Sequence, residues 1–294
     1  MLINIGYSTI INIPADHATI QAGIDASVNG DTVLVANGIY YENLSIDKDI
    51  TLASHFIIDG NIDHRDSTII DGSAYDEDLG PFGSCVLFLP PENGDHIHPK
   101  LTGFTIQNGR GTRMREQIET PEGDITIISF MGGGLTIWYS FPEVTYNYIK
   151  ENGTGSNSRS RPTRRGGGAT LVFDDNDVEF DEDRNLSMRR TIHHRDDEII
   201  FSNNIFENNN SEIVSTLESI GFTGDIDLSN SYFDIFSYEY EDISEYWMKY
   251  GDANTNFLGV NGIVDAITYD VWVSTDGQDG ISIMGTEEDP FQTI

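Results

Sequence analysis

A short block of sequence recurs at residues 101–109, 144–153 and 200–209, and it limits this chain to a repetitive fold. The copies read LTGFTIQNG, VTYNYIKENG and IFSNNIFENN, so each joins two β-rich segments through a polar turn. One such unit cannot bury its apolar side alone, whereas stacked neighbours bury it continuously. The repeat therefore predicts a solenoid with one shared inward position, occupied by Ile106, Ile149 and Phe206.

Glycine and asparagine mark the expected corners of the repeat. Triple glycines at residues 132–134 and 166–168 suit corners where φ is positive or two backbones approach closely. Stacked side-chain amides at the ends of the copies would form an internal ladder, built from Asn108, Asn152 and Asn208 or Asn209. We interpret these residues as structural.

A single amphipathic helix is predicted near the start of the chain. Ile20, Ile24 and Val28 fall on one stripe of a helix that begins near Thr19. The candidate caps are Asp16 or Thr19 at its start and Gly30 at its end. A strand at residues 9–13 precedes it, and β-rich runs follow at residues 32–36, 43–46 and 50–52.

The order of these early elements resembles a known superfamily. The segments TIQAGIDA, NGDTVLVANGIYYENLSI and KDITLAS are similar to the first coil of secreted right-handed parallel β-helix proteins, the pectin lyase-like superfamily. The resemblance covers about 40 residues and implies an all-β fold. It implies a single-stranded right-handed parallel β-helix, a solenoid whose open end is plugged by a short N-terminal capping helix. Because lyases, hydrolases, esterases, adhesins and inert stalks share this fold, it implies no single activity.

The expected domain organisation follows from the same resemblance. We predict an N-terminal covering strand, a β-helix and the truncated start of a second β-helix module, at residues 1–18, 19–270 and 271–294. Loop insertions are expected to leave the β-helix at about 110–123, 156–165 and 174–198. Two segments that end in IIDG, residues 57–60 and 68–72, are expected to be strand-turn units of the coil.

The second insertion carries an arginine cluster. Its members are Arg159, Arg161, Arg164 and Arg165. Guanidinium matches carboxylate in two-point geometry, so one hypothesis is a clamp for carboxylated sugars. The alternative is a flexible loop whose arginines pair with the acidic run that follows.

The third insertion begins with an acidic run that contains Asp174, Asp175, Asp177 and Glu179. Carboxylate oxygens are the ligands that Ca²⁺ prefers, so the run is a candidate Ca²⁺ site. It lacks the glycine and terminal glutamate of an EF-hand loop, and the alternative is a solvated acidic loop. His193 and His194 follow without a second set of ligands at a recognisable spacing.

Charge and cysteine content restrict the environment and the partners. With 16 basic and 49 acidic residues the net charge is −33, which argues against nucleic acid as a partner. Cys85 is the only cysteine, so an intrachain disulfide is excluded, and its apolar neighbours predict a buried thiol. No apolar run is long enough for a membrane span, and no signal peptide is evident. We expect an extracellular or cell-surface location, with this sequence as a piece of a longer secreted protein.

Three function hypotheses remain open. Residues 161–165 read RPTRR, which breaks the RxPxxR pattern of pectate lyases, and the motifs of polygalacturonases and pectin esterases also lack counterparts. We therefore favour a β-helix module that binds polysaccharide or forms part of a carbohydrate-active surface protein and has no recognisable catalytic set, rather than an enzyme. The alternatives are a structural or adhesive surface stalk and a Ca²⁺-dependent polysaccharide lyase.

Overall fold

The chain is built mostly of parallel β-strands, with few and short helices. The computed structural model describes residues 8–74, 82–89, 96–118, 125–153, 163–173, 179–180, 186–188, 198–210, 216–220, 225–233 and 256–258. Within these ranges, three sheets contain only parallel pairs and a fourth sheet is mixed. None of the described helices is long and apolar enough to cross a membrane.

The three parallel sheets are named here by the order in which the chain reaches them. The first sheet has the strands Ile10–Ile13, Thr32–Val35, Thr51–Ser54, Lys100–Thr102, Glu143–Thr145, Ile199–Ile200, Asp225–Asp227 and Asn256–Leu258. The second has the strands Gly38–Tyr40, Thr68–Asp71, Thr105–Gln107, Tyr148–Lys150, Ile205–Glu207 and Tyr232–Phe233. The third has the strands Leu44–Ile46, Val86–Phe88, Leu135–Trp138, Ala169–Val172 and Leu217–Ile220.

The chain visits these sheets in a constant order. After the strand Ile10–Ile13 it runs from the first sheet to the second, then to the third, and returns to the first. We call one such circuit a pass, and the first pass comprises residues 32–46. Each new strand is added beside its equivalent from the previous pass, so equivalent residues pair along every sheet.

The core is a set of inward rows, to which each strand contributes one or two residues. In the second sheet, Ile106 pairs with Ile149 and Ile149 pairs with Phe206, and all three side chains are fully buried. This confirms the shared inward position predicted for them. Matching rows in the first and third sheets contain Val33, Leu52, Leu101 and Val144, and Val86, Leu135, Ala169 and Leu217.

A row of corner amides that the sequence analysis missed joins the first and second sheets. Gly103, Tyr146 and Asn203 each have a positive φ, and the residue that follows each of them turns inward. The Asn147 side-chain oxygen accepts from Phe104 N at 3.0 Å. Asn147 N in turn donates to the side-chain oxygen of Asn204 at 2.9 Å, so each pass is tied to the next.

The predicted asparagine ladder exists at the other end of the second-sheet strands, with one correction. Asn152 Nδ2 donates to Asn209 Oδ1 at 3.1 Å, and the Asn152 side-chain oxygen accepts from Gly109 N at 2.9 Å. The preceding pass therefore contributes Gly109, and including Asn108 in the ladder was wrong by one residue. Asn108 is instead the left-handed corner residue, with a φ of 61°, and it bonds to Asp71.

The triple glycines allow the close backbone approach that was predicted. Gly132 and Gly166 have φ values of 59° and 58°. A Cβ atom on Gly133 would lie 2.4 Å from Gly167 O, nearer than any real carbon contact, and so would clash. These glycines therefore set the spacing between passes where the chain enters the third sheet.

Helix α1, Ile20–Ala26, packs against strands of the first and third sheets near the start of the chain. The Thr19 side chain caps it, and Ile20 and Ile24 are buried as predicted. The prediction for Val28 was wrong: the helix ends at Ala26, and Val28 lies beyond it, 64% exposed.

The caps of α1 are better supported than the sequence suggested. Asp16 is not a cap, because its carboxylate accepts from Asn12 N. The Glu42 carboxylate instead accepts hydrogen bonds from the backbone N–H groups of Ile20 and Gln21, at 2.8 and 2.9 Å. These are N–H groups of the first turn, which the helix itself leaves without an acceptor. Gly30, with a φ of 92°, stands four residues after the helix and is not its stop. The first pass thus fastens the helix at its N-terminus.

Residues 57–60 form no strand, contrary to the prediction. Helix α2, Phe56–Asp59, and helix α3, Ile62–Ser67, separate the strands Thr51–Ser54 and Thr68–Asp71. Two isoleucines next to each other matched a buried strand in the sequence, but the inward row of the second pass is already supplied by Leu52 and Ile70. The segment is therefore free to leave the parallel sheets.

Candidate functional site

The insertions, predicted as loops, come together in the fourth sheet. Its strands are Phe82–Gly83, Gly111–Ile118, Ile125–Met131, Thr163–Arg165, Glu179–Phe180 and Leu186–Met188. The strands Gly111–Ile118 and Ile125–Met131 form an antiparallel pair, and the shorter strands extend it on both sides. Sequence periodicity could not reveal the whole sheet. The pairs of Gly111–Ile118 with Leu186–Met188 and of Ile125–Met131 with Thr163–Arg165 join segments that are separated by strands of the other sheets.

This fourth sheet covers the outer face of the third sheet. The outward residues Leu87, Thr136 and Thr170 are fully buried there. The Ser84 hydroxyl connects the two layers, since its oxygen lies 2.8 Å from both Thr112 Oγ1 and Thr136 Oγ1. The outer face of the third sheet is therefore not a ligand surface at these positions.

Trp138 belongs to the same covered face. It is 1% exposed, so it is a packing residue and not a sugar-stacking platform. Trp247 and Trp272, the other tryptophans considered for stacking, lie outside the described residues.

The described residues of the two predicted ligand sites lie at opposite edges of the fourth sheet. Arg164 and Arg165 belong to the edge strand Thr163–Arg165, paired with Phe130 and Met131. Glu179 belongs to the strand at the other edge. Five strands separated by about 4.8 Å place these edges roughly 19 Å apart. Arg159, Arg161, Asp174, Asp175 and Asp177 lie outside the described residues.

A cleft opens where the second-sheet strands end and the insertions begin. Its volume is about 430 Å³, and it is lined by Ser73, Asn108, Gly109, Arg110, Glu151 and Gly153. Three successive passes contribute to it, because these residues follow the strands Thr68–Asp71, Thr105–Gln107 and Tyr148–Lys150. Repeated strand ends thus place unlike side chains next to one another.

The corner geometry fixes the polar groups of the cleft. Asn108 and Glu151 are both left-handed, with φ values of 61° and 54°. Asp71 anchors one wall: its carboxylate accepts from Gln107 Nε2 and Asn108 Nδ2, each at 2.8 Å. Because the Asn108 amide group is committed to Asp71, its carbonyl oxygen remains the group that can accept from a ligand.

Hydrogen bonding also determines the charge of Asp71. Burial raises the pKa of this carboxyl group, but bonds from Gln107, Ser73 and Asn108 outweigh that effect. The pKa therefore lies below its ordinary value of 3.8. Asp71 is a fixed carboxylate behind the cleft, and its bonds give it a positioning role.

Two exposed charged side chains are available to a ligand. Arg110 and Glu151 line the cleft, and the described part of the chain holds no ion pair or side-chain hydrogen bond to either of them. Arg110 is fixed through its backbone, since its N donates to Gly83 O at 2.7 Å. A guanidinium group supplies donors and a carboxylate supplies acceptors, so the cleft can bind groups of both kinds.

Cys85 lies in the core close to this corner and is not a nucleophile. Its thiol donates to Gln107 O at 3.0 Å, and the residue is fully buried, as predicted. Burial raises the pKa of the Cys85 thiol to about 12, so it stays neutral at physiological pH.

The sequence contains a signal for the cleft, although its asparagines and glycines were interpreted only as structural. Asn-Gly-Arg at residues 108–110 and Glu-Asn-Gly at residues 151–153 both follow a strand of the repeat at the point where an insertion begins.

Among the described residues, no group of three or more His, Cys, Asp or Glu side chains could hold a metal ion. Comparison with protein-family models and with curated proteins finds no match to this chain.

Proposed function

We propose that the three parallel sheets form a single-stranded right-handed parallel β-helix of the pectin lyase-like kind. The constant order of visits, the inward rows and the corner amides support this proposal. Helix α1 would plug the end of the coil, as the resemblance of residues 19–54 implies. The module would act outside the cell or at its surface.

We propose that this module binds polysaccharide, and the cleft is the observation that carries the proposal. Its volume of about 430 Å³ is in the range of small-ligand sites. A sugar ring presents adjacent hydroxyl groups that both donate and accept hydrogen bonds. Arg110, Glu151, Ser73 and the Asn108 carbonyl supply matching partners, held on strand ends rather than on long loops.

The second sheet supplies a surface along which a chain of sugars would extend. Gln107, Lys150 and Glu207 form one outward polar row next to the cleft. Neighbouring strands are about 4.8 Å apart, close to the length of one pyranose unit. Successive sugars would therefore meet equivalent positions on successive passes.

Calorimetric titration of the chain with neutral and acidic polysaccharides, with and without Ca²⁺, tests this function. We expect one class of glycan to bind, and Arg110→Ala and Glu151→Gln each to weaken binding about tenfold, because each removes a charged hydrogen-bond partner. Lys100→Ala, which removes a cation on the first sheet, and Asp47→Asn, which removes an exposed carboxylate, are the matched controls and should leave binding unchanged.

Other outcomes would contradict the proposal that the cleft is the polysaccharide-binding site. If Arg161→Ala with Arg164→Ala abolishes binding while Arg110→Ala does not, the arginine insertion is the site. If no glycan binds, the surface stalk replaces the binding module. A thermal shift with Ca²⁺ alone, lost in Asp175→Asn with Asp177→Asn, would support the predicted Ca²⁺ site without a glycan role. Absorbance from an unsaturated product, abolished by chelator, would indicate the lyase.

A further inference from the structure

The segment with helices α2 and α3 is an excursion at a corner that other passes close tightly. Between the first and second sheets, the other passes use two to four residues, such as Gly103 and Phe104 or Tyr146 and Asn147. The second pass uses residues 55–67 at the same corner. The extra residues add no inward row, so the core does not require them.

The excursion is held firmly against three neighbouring passes. The Phe56 ring lies 5.0 Å from the Tyr146 ring, and a Cβ atom on Gly103 would lie 2.7 Å from the Phe56 Cβ. Thr105 Oγ1 donates to Arg65 O at 3.0 Å. His64 Nδ1 lies 2.9 Å from Asn37 Oδ1 in the first pass. The backbone of the excursion is thus ordered before any partner binds.

Its outer side presents apolar side chains to solvent. Ile57, Ile58 and Ile62 are 49%, 66% and 42% exposed, and we call these three residues the isoleucine patch. Single exposed apolar residues are common, but three within six positions on an anchored excursion are not needed for folding. Apolar side chains presented on an ordered backbone are typical of a docking surface, since binding costs little ordering entropy.

Three carboxylates belong to the same two helices as the isoleucine patch. Asp59, Asp63 and Asp66 lie in or next to the same two helices and are exposed. The Arg65 guanidinium is paired with Asp66 at 2.7 Å, so the exposed charge of the excursion is negative. A second copy of this chain, with its net charge of −33, would be repelled from such a surface.

We propose that the isoleucine patch docks a protein partner whose contact surface carries apolar side chains flanked by lysine or arginine. Apolar burial supplies the affinity, and the aspartate rim selects a basic partner and speeds its encounter. This surface is distinct from the cleft, which lies at the far ends of the second-sheet strands.

A model peptide tests the chemistry of this surface. The probe is a short fluorescein-labelled amphipathic peptide of leucine and lysine, compared with a peptide in which glutamate replaces every lysine. Fluorescence anisotropy at physiological ionic strength should show binding of the lysine peptide only. Ile57→Ser with Ile58→Ser and Ile62→Ser should weaken it at least about tenfold. This variant keeps the net charge, so non-specific attraction of a cationic peptide is unchanged.

The matched control is Val28→Ser, which removes an equally exposed apolar side chain from another surface. It should leave peptide binding intact, and circular dichroism should show that all variants fold. Equal binding by wild type and the triple variant would overturn the proposal, as would equal binding of the glutamate peptide. If the wild type sediments as a dimer and the triple variant as a monomer, the isoleucine patch binds a second copy of the chain. If the chain binds phosphatidylcholine vesicles and the triple variant does not, the patch binds lipid. Either result would overturn the proposal of a basic protein partner.

Discussion

Replacing Asn147 with alanine tests whether the corner amides hold neighbouring passes together. The Asn147 side-chain oxygen accepts from Phe104 N at 3.0 Å, and its amide group donates to Leu101 O and Thr145 O, each at 3.0 Å. All of these groups are buried. The variant leaves one buried N–H without an acceptor and removes a donor from two carbonyls. Since an unsatisfied buried group costs 1–3 kcal/mol, we expect a loss of about 3 kcal/mol in unfolding free energy.

Urea unfolding followed by circular dichroism measures this loss. The matched control is Asn29→Ala, because Asn29 is exposed and accepts a single bond, from Asp49 N at 3.1 Å. That control should lose no more than about 1 kcal/mol. Coincident transitions by tryptophan fluorescence would establish that the comparison is two-state. If Asn147→Ala costs no more than Asn29→Ala, the corner amides do not stabilise the stack and the reasoning fails.

Two further predictions concern the ends and the core of the stack. Ile24→Asp should expose the first pass and cause aggregation in light scattering, because Ile24 lies on the buried face of α1. Val28→Asp should stay monomeric, since Val28 is exposed, and a soluble Ile24→Asp would contradict the capping role of α1. Cys85, whose pKa is raised by burial to about 12, stabilises the fold below pH 9 and loses that contribution as the pH rises towards 12. Between pH 9 and pH 12 the unfolding free energy of the wild type should fall more steeply with pH than that of Cys85→Ala, by up to about 1.4 kcal/mol per pH unit. If the two unfolding free energies fall equally with pH, burial does not raise the pKa of the thiol.

Short-range sequence patterns correctly predicted one inward row of the core and the buried residues of α1. The shared row of Ile106, Ile149 and Phe206 could be found because each copy of the repeat carries its own apolar residue at the same offset. The burial of Ile20 and Ile24 followed from helical spacing, and Val28 failed because nothing in that spacing marks Ala26 as the end.

Features that depend on pairing between distant segments could not be predicted. The strands of the fourth sheet match no repeat. The pairs of Gly111–Ile118 with Leu186–Met188 and of Ile125–Met131 with Thr163–Arg165 depend on which insertions lie side by side. Arg164 and Glu179 were treated as members of neighbouring loops, but they occupy opposite edges of one sheet. Sequence distance was therefore a poor guide to spatial distance.

The candidate cleft was missed for a related reason. From the sequence, Arg110 is the first residue of an insertion and Glu151 belongs to a repeat copy, and each alone is an ordinary exposed residue. They line one cleft only because Asn108 and Glu151 turn the chain at equivalent left-handed corners. A register error of one residue at Asn108 was enough to hide this relation.

The equivalence of the corners has a consequence for how such a chain can change its length in evolution. Asn147 and Asn204 stand at the same corner, 57 residues apart, each after a residue with positive φ. A deletion of residues 147–203 would join Tyr146 directly to Asn204 and place Phe206 beside Ile106, so like positions would still meet. Recombination between corners can therefore remove or duplicate a whole pass without disturbing the rows on either side. Such a lineage would vary in reach while keeping the same cross-section.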